Sequence, residues 1–218
     1  EVLRAFTRLK CRLMPYLYAH AREAAHTGLP LMRAMLLEFP DDPACDYLDR
    51  QYMLGESLLV APVFSADGAV SYYLPQGRWT SFLTGELVEG GRWLRETHGA
   101  LSLPLLVRPN SVIAVGANDQ RPDYDYADGI TLQVYELADS PGITVEIPTL
   151  SGELACVFEV RREGRTITVA PEGAAGRWSV LLVGVKAAEV RGAGVMPRAQ
   201  GLLIAPDDTA AVLRIELP

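Results

Sequence analysis

Residues 1–26 have the hydrophobic pattern of an amphipathic helix. Pro15 lies within this pattern and should kink the helix or divide it into two, and Gly28 with Pro30 should end it. Because the apolar face is wide and an isolated helix is only marginally stable, this face must pack against another part of the protein. Its apolar positions recur at three- and four-residue steps, at Val2, Phe6, Leu9, Leu13, Leu17 and Ala21.

A short apolar run at residues 29–39 follows the helix and predicts a buried strand. The aspartates after it are good N-caps or turn formers, and the segment that they open predicts a short helix ending at Gly55. The first ~55 residues therefore have helix–strand–helix order, which is typical of an α/β protein.

From Ser57 onward, short apolar or alternating runs are punctuated by Gly, Pro and Asn at intervals of roughly ten residues, a pattern typical of a β-sandwich or barrel. A looser link at residues 118–129 separates two such series. Within the second series, the string REGRTITV predicts a hairpin with Glu163 and Gly164 at its turn. We predict a mainly β fold in which two β-sandwich modules follow a helical lead-in.

Composition narrows the function classes. The 218 residues are 49% hydrophobic and 22% charged, as in ordinary globular proteins, and the net charge of -7 argues against nucleic acid as a partner. Cys11, Cys45 and Cys156 suit neither a disulfide framework nor a zinc site, so we expect buried thiols in a reducing, cytoplasmic compartment. The sequence has no membrane-spanning apolar run and no signal-peptide pattern, and we expect its start to be a designed or proteolytic boundary.

Four aspartates form the first candidate site: Asp41, Asp42, Asp46 and Asp49. Glycoside hydrolysis needs two carboxylates that flank a bond, and a cation site needs several oxygens. However, the first two aspartates lie between prolines, where turn-forming Asp is common, which favours a turn-and-cap role. The histidines His20, His26 and His98 show no metal-ligand spacing, so we expect structural roles for them and neither metal nor cofactor.

Aromatic residues among the β runs form a further candidate set: Trp79, Trp93, Tyr72 and Tyr73. Aromatic side chains on a sandwich can stack on sugar rings, although they belong more often to a core or a sheet surface. The string GRW occurs at residues 77–79, 91–93 and 176–178. The spacing is uneven, which indicates that each copy marks a turn followed by a strand and that the copies do not form a repeat. No GxGxxG, P-loop or GxSxG motif and no triad pattern is present, so the residues alone name no reaction.

Specific strings resemble the end of the catalytic barrel and the following domain of glycoside hydrolase family 31. They are PYLY at 15–18, G-x-P-x-x-R at 28–33, EFPDDP at 38–43, YMLGESLLVAPV at 52–63, the string from Tyr73 to Glu86, and PLLVRPNSVIAVG at 104–116. The strings DDPACDYLDRQYMLG and NDQRPDY look like the bacterial α-xylosidase branch. The likeness is strong over residues 5–125 and weaker beyond.

The resemblance implies a division into three segments. Residues 1–57 would be the last elements of a (β/α)8 barrel, residues 58–120 a proximal β-sandwich and residues 121–218 a distal one. The parent enzyme would hydrolyse terminal α-xylosides with retention, through two carboxylates. Its upstream barrel would be the partner of this chain, and the full-length protein would be a homo-oligomer.

No catalytic residue is carried over, because neither the K-x-D-F-G-E type string that holds the family's nucleophile nor its acid/base aspartate occurs here. Asp41, Asp42 and Asp46 belong to a passage that is not catalytic in the resemblance, and residues 38–42 would lie near the barrel rim. The chain is therefore predicted to be an inactive portion of the enzyme whose modules brace the barrel. We also predict that the apolar helix face at residues 2–21 either self-associates or packs on the proximal module.

Two alternatives stay open. The distal sandwich is a carbohydrate-binding module that presents Tyr135 or Trp178 to a glycan, or the chain is a self-sufficient enzyme. Titration with xylosyl oligosaccharides and an assay with an aryl α-xyloside distinguish these hypotheses.

Overall fold

The computed structural model describes residues 1–139 and 141–218. Helix α1 (Val2–Thr27) is continuous through Pro15, so the predicted division into two helices is wrong. Gly28 ends it in the left-handed conformation at φ 80°, and its N–H donates to the carbonyl of Ala24 over 2.9 Å. The predicted helix and its stop are thus confirmed.

The predicted buried strand at residues 29–39 is wrong. Only Met32–Arg33 is extended, and the short helix α2 (Met35–Glu38) follows. The physical reason is the buried Arg33, whose Nη1 donates to Oε1 of Glu38 over 2.7 Å. Two residues five positions apart in a strand would be separated by about 17 Å, so the turn of α2 is needed to bring the carboxylate back to the guanidinium.

The predicted helix ending at Gly55 is also wrong. A 3-10 helix covers Pro43–Cys45, and Tyr52–Leu54 is a strand that pairs antiparallel with Leu58–Val60. Gly55, at φ 62°, opens the turn between these two strands instead of capping a helix.

The strands in chain order are β1 (Met32–Arg33), β2 (Tyr52–Leu54), β3 (Leu58–Val60), β4 (Ala69–Leu74), β5 (Arg78–Ser81), β6 (Leu87–Glu89), β7 (Arg92–Thr97), β8 (Leu105–Val107), β9 (Ser111–Val115), β10 (Ile130–Tyr135), β11 (Ile143–Pro148), β12 (Leu154–Glu163), β13 (Thr166–Gly173), β14 (Trp178–Val183), β15 (Glu189–Val190), β16 (Ala193–Arg198), β17 (Gly201–Pro206) and β18 (Leu213–Glu216). The predicted mainly β fold is confirmed.

The chain divides into two compact units. The first unit comprises Glu1–Phe6 and Glu23–Pro109. It contains a six-stranded sheet in the order β1-β2-β3-β8-β5-β6 and a two-stranded sheet formed by β4 and β7. Its buried core consists of Met35, Cys45, Met53, Leu59, Ala61, Tyr72, Leu74, Trp79 and Leu106.

The second unit comprises Thr7–Arg22 and Asn110–Pro218. Two five-stranded sheets, β16-β17-β14-β10-β9 and β11-β12-β13-β18-β15, share one apolar core. Strand β12 alternates between buried and exposed positions, as a half-buried strand should. The predicted hairpin is present, but Glu163 pairs with Thr166, so the turn is formed by Gly164 and Arg165.

The middle of helix α1 packs within the second unit. Met14 and Tyr18 lie against its core, and the Tyr18 hydroxyl donates to the carbonyl of Leu150 over 2.9 Å. The hydroxyl of Tyr124 donates to the carbonyl of Cys11 over 2.8 Å. The helix therefore does have a packing partner, although for Thr7–Arg22 that partner includes strands of the predicted distal module. The segment boundaries at 57/58 and 120/121 stay predictions.

Candidate functional site

The first unit contains a buried ion-pair network centred on Glu38. The side chain of Arg33 is 3% exposed, and its Nη2 donates to Oε2 of Glu23 over 2.7 Å while its Nη1 holds Glu38. Arg108 reaches the other carboxylate oxygen of Glu38, with Nη1 2.9 Å from Oε2. One carboxylate thus accepts charge-assisted hydrogen bonds from two guanidinium groups.

Additional contacts fix both arginines in place. Arg33 Nε donates to the carbonyl of Pro30 over 3.1 Å. Arg108 donates to the carbonyls of Glu38 and Glu56, and its guanidinium lies 4.4 Å from the ring centroid of Phe39. Burial alone would lower the pKa of Arg33, but the hydrogen bond that Arg33 donates to Glu38 and the charges of Glu23 and Glu38 outweigh burial and raise the pKa.

This network joins two adjacent elements, β1 and α2, to a residue 70 positions further along the chain. Arg33 lies on β1, Glu38 ends α2, and Arg108 follows β8. Arginine stays protonated at physiological pH, so these guanidinium groups cannot act as a general acid or base. The network therefore serves to hold its three segments together. In the sequence, Arg33 and Arg108 stand out only as letters of the family motifs. The signal that could have identified them is a charged residue within an apolar run or directly after one.

The four candidate aspartates do not assemble into a site. Asp42 caps the 3-10 helix by accepting from the N–H of Ala44 over 3.1 Å, and it accepts from the Tyr73 hydroxyl over 2.9 Å. Its predicted turn-and-cap role is confirmed. Asp41, Asp46 and Asp49 are exposed. In the described part of the chain, no group of three or more His, Cys, Asp and Glu residues is placed to hold a metal ion.

The three histidines lie in different surroundings. His20 is edge-on to Tyr16 with ring centroids 4.5 Å apart, and His26 lies in the last turn of α1. His98 joins Ser102 Oγ at Nδ1 and Glu96 Oε2 at Nε2, both over 2.8 Å. Glu96 also accepts from the Tyr72 hydroxyl, and burial followed by the charge of Glu96 raises the pKa of Tyr72.

The aromatic candidates separate into buried and exposed members. Trp79 and Tyr72 are fully buried, whereas Trp93 is 59% exposed and lies beside the half-buried Tyr73. In the second unit, Tyr135 is 1% and Trp178 is 4% exposed. The prediction that Tyr135 or Trp178 is presented to a glycan is therefore wrong, because both side chains are buried.

Two family models match the chain. Residues 28–113 match the glycosyl hydrolase family 31 C-terminal domain, and residues 125–217 match the C-terminal domain of alpha-xylosidase YicI. Together they cover most of the chain, which belongs to glycoside hydrolase family 31. Within that family, its sequence corresponds to the C-terminal portion of the α-xylosidase branch, so the resemblance drawn from the motifs is confirmed.

Similar proteins agree with this assignment. The chain is 44% identical over 142 residues to an alpha-xylosidase of Emericella nidulans, a match covering 62% of the chain and 18% of that relative. It is 36% identical over 171 residues to alpha-xylosidase XylQ of Lactiplantibacillus pentosus, a match covering 77% of the chain and 22% of that relative. A Flavobacterium johnsoniae family 31 dextranase has the same fold at a TM-score of 0.77 and 22% identity, covering 96% of this chain and 32% of that one.

The chain thus spans about a fifth of the length of the curated relatives it matches. Within residues 1–139 and 141–218, no helix has the length and apolar character needed to cross a membrane.

Proposed function

We propose that this chain is the non-catalytic C-terminal portion of a retaining α-xylosidase and that its first unit braces the catalytic barrel. The observation that carries the proposal is the Glu38 network. Residues 28–43 carry the motifs that end the barrel in the family resemblance, and Arg108 ties them to the strand β8 of the following sandwich. The α-xylosidase relatives supply the parent activity, hydrolysis of terminal α-xylosides.

The burial of Glu38 explains how this network would brace the barrel. Glu38 is 12% exposed, so its bonds to two guanidinium groups are shielded from water and salt. Removing one member of such a network leaves an uncompensated buried charge, which costs roughly 3–5 kcal/mol. A segment held this firmly to the sandwich limits how far the end of the barrel can open.

The test compares full-length enzymes that carry Glu38→Gln or the control Glu89→Gln. Glu89 belongs to an exposed pair with Arg78 at 3.8 Å, and such pairs contribute about 0–1 kcal/mol. Glu38→Gln should lower the temperature of inactivation by several degrees and leave KM unchanged at 25 °C. If Glu38→Gln destabilises the 218-residue chain but leaves the enzyme's inactivation temperature unchanged, the bracing role is wrong.

The inactivity of the chain itself has a separate test. We expect no turnover of an aryl α-xyloside by the purified 218-residue chain, because the family's two catalytic carboxylates have no counterpart among its motifs. Turnover that survives repurification and is lost on unfolding would establish a self-sufficient enzyme instead.

The parent enzyme has a compartment, an oligomeric state and domain boundaries that we also propose. We place the parent in the cytoplasm because Cys11, Cys45 and Cys156 are buried free thiols, as in proteins of reducing compartments. We also propose that the full-length enzyme is a homo-oligomer and that its domains meet near residues 57 and 120. Light scattering on the full-length enzyme, and limited proteolysis around these positions, test the two statements.

A further inference from the structure

The outer face of the two-stranded sheet combines aromatic and hydrogen-bonding groups. In this sheet Tyr73 lies directly opposite Trp93, and Ser71 lies opposite Arg95. Residues two positions apart share a face, so both pairs lie on one side, about 7 Å apart along the strands. The opposite side contains Tyr72, which is fully buried. The two pairs therefore form one outward surface, which we call the Trp93 face.

Three groups of the Trp93 face are available to a ligand. Trp93 is 59% exposed, and Ser71 and Arg95 are exposed as well. Within the described residues, neither Ser71 nor Arg95 forms a hydrogen bond or an ion pair through its side chain. An aromatic surface thus lies beside an unused hydroxyl and an unused guanidinium.

The aromatic pair is held in a fixed geometry. The Tyr73 hydroxyl donates to Asp42 Oδ2, and both main-chain groups of Tyr73 bond to the buried Gln51, at 2.8 Å and 2.7 Å. The Tyr73 and Trp93 rings lie 5.9 Å apart at an interplanar angle of 56°, so they form two walls of a corner. Such preorganisation lowers the entropy cost of binding.

A small cavity continues the Trp93 face along β4. It has a volume of about 230 Å³ and is lined by Arg50, Phe64 and Ser71 among others. Phe64 is 73% exposed. Pockets for drug-sized ligands measure roughly 300–1,000 Å³, so this cavity suits a group the size of one sugar ring.

We propose that the Trp93 face binds a neutral oligosaccharide of linked pyranose rings. The apolar face of a pyranose stacks on an indole ring, while its hydroxyl groups bond to hydroxyl and guanidinium groups of the kind that Ser71 and Arg95 supply. A protein partner is disfavoured because aromatic and polar side chains alternate along the face without a continuous apolar patch. The inference rests on the chemistry of the face and goes beyond the proposed bracing role.

The fluorescence of the chain offers a specific readout. Of its three tryptophans, Trp79 and Trp178 are buried and Trp93 is exposed. Collisional quenching by acrylamide therefore reports mainly on Trp93. We expect an α-xylosyl-substituted gluco-oligosaccharide or isomaltotetraose to protect Trp93 from acrylamide. For a dissociation constant in the millimolar range, a sugar concentration of about 10 mM occupies most of the sites.

Calorimetric titration of variants completes the test. Trp93→Ala should weaken binding about tenfold or more, and Trp93→Phe should recover part of it. The control Leu87→Ala removes an apolar residue that is 50% exposed on β6, in the other sheet, and should leave binding unchanged. The proposal is overturned if neither sugar protects Trp93, or if Trp93→Ala and Leu87→Ala bind alike. Neither outcome affects the inactivation test of the bracing role, so the two failures are distinguishable.

Discussion

The two units of the molecule are stabilised by different means. In the first unit a buried arginine, Arg33, lies at the junction of β1 and α2, and its charge is balanced by glutamates. The second unit buries no charged side chain among its described residues; its core consists of aliphatic and aromatic side chains from two sheets. The first unit therefore adds a few directional bonds to its apolar core, whereas the second unit depends mainly on the apolar area that it buries.

The same contrast holds for the aromatic residues. Phe158 and Trp178 meet inside the second unit with ring centroids 5.2 Å apart, whereas the first unit has one buried tryptophan and one exposed tryptophan. Single substitutions in each unit test this difference.

Phe158→Ala should cause the largest loss of stability that we expect in the second unit. Phe158 is fully buried between the sheets of the second unit, and such truncations cost about 3–5 kcal/mol. Urea unfolding monitored by Trp178 fluorescence, in a Trp79→Phe and Trp93→Phe background, gives the free energy of unfolding. The control is Leu154→Ala, since Leu154 is 41% exposed on the same strand, β12. Equal losses for the two variants would contradict the proposed role of the apolar core.

Arg33→Met should destabilise the first unit by about 3 kcal/mol, because it leaves the carboxylates of Glu23 and Glu38 with fewer partners. Urea unfolding in a Trp178→Phe background measures it, since Trp79 and Trp93 then both report on the first unit. Arg78→Met, which breaks an exposed pair, is the matched control. A loss below 1 kcal/mol for Arg33→Met would show that the network is dispensable.

Tyr72→Phe should cost about 1 kcal/mol, because it removes the hydroxyl that donates to Glu96 over 3.0 Å and preserves the packing of the ring. Tyr47→Phe, at a residue that is 93% exposed, should have no effect on the same urea transition. An unchanged midpoint for Tyr72→Phe would indicate that the Tyr72–Glu96 bond contributes nothing.

Both units should respond alike to pH through a buried thiol, that of Cys45 in the first unit and that of Cys156 in the second. Burial, followed by nearby aspartates, raises the pKa of Cys45 and of Cys156 to about 11. The unfolded thiols titrate near pH 8.5, so this contribution to stability is complete below that pH and is lost as pH rises toward 11. Alkylation of both cysteines at pH 8 should be slow in the folded chain and fast in urea. Rates in the folded chain that match a free thiol would contradict the assignment.

Trp93→Ala should have the smallest effect on stability, within about 0.5 kcal/mol, because the side chain is largely exposed. Trp79→Ala, at a fully buried residue that follows the same Gly-Arg dipeptide, should cost roughly 3–5 kcal/mol. Similar midpoints for these two variants would contradict the assignment of buried and exposed tryptophans.

The sequence was sufficient to predict the elements whose apolar residues recur with a clear helical or strand period. Helix α1, most strands and the family motifs follow from apolar spacing and ordered strings. Strands β15 and β16 were not predicted, since almost all side chains of β16 are exposed and carry no alternation of apolar and polar positions. The strand predicted at residues 29–39 failed because Arg33 is buried and pairs with Glu38 five residues later, which requires the turn of α2 in place of an extended chain.

The candidate sites were harder to predict, for a related reason. The three GRW strings look alike, yet Trp79 and Trp178 point inward and Trp93 points outward. The orientation of Trp93 follows from the pairing of β7 with β4, in which Leu94 lies opposite the buried Tyr72. Strand pairing is a tertiary property, so the sequence pattern could not separate the buried aromatic candidates from the exposed one.

Hydrogen exchange measured by mass spectrometry on the Glu38→Gln chain tests most directly whether this carboxylate ties α2 to β8. We predict faster exchange in peptides covering residues 35–45 and 105–109, and unchanged exchange in β14 of the second unit. Exchange that is unchanged in the first unit, or that rises equally in both units, would contradict the account.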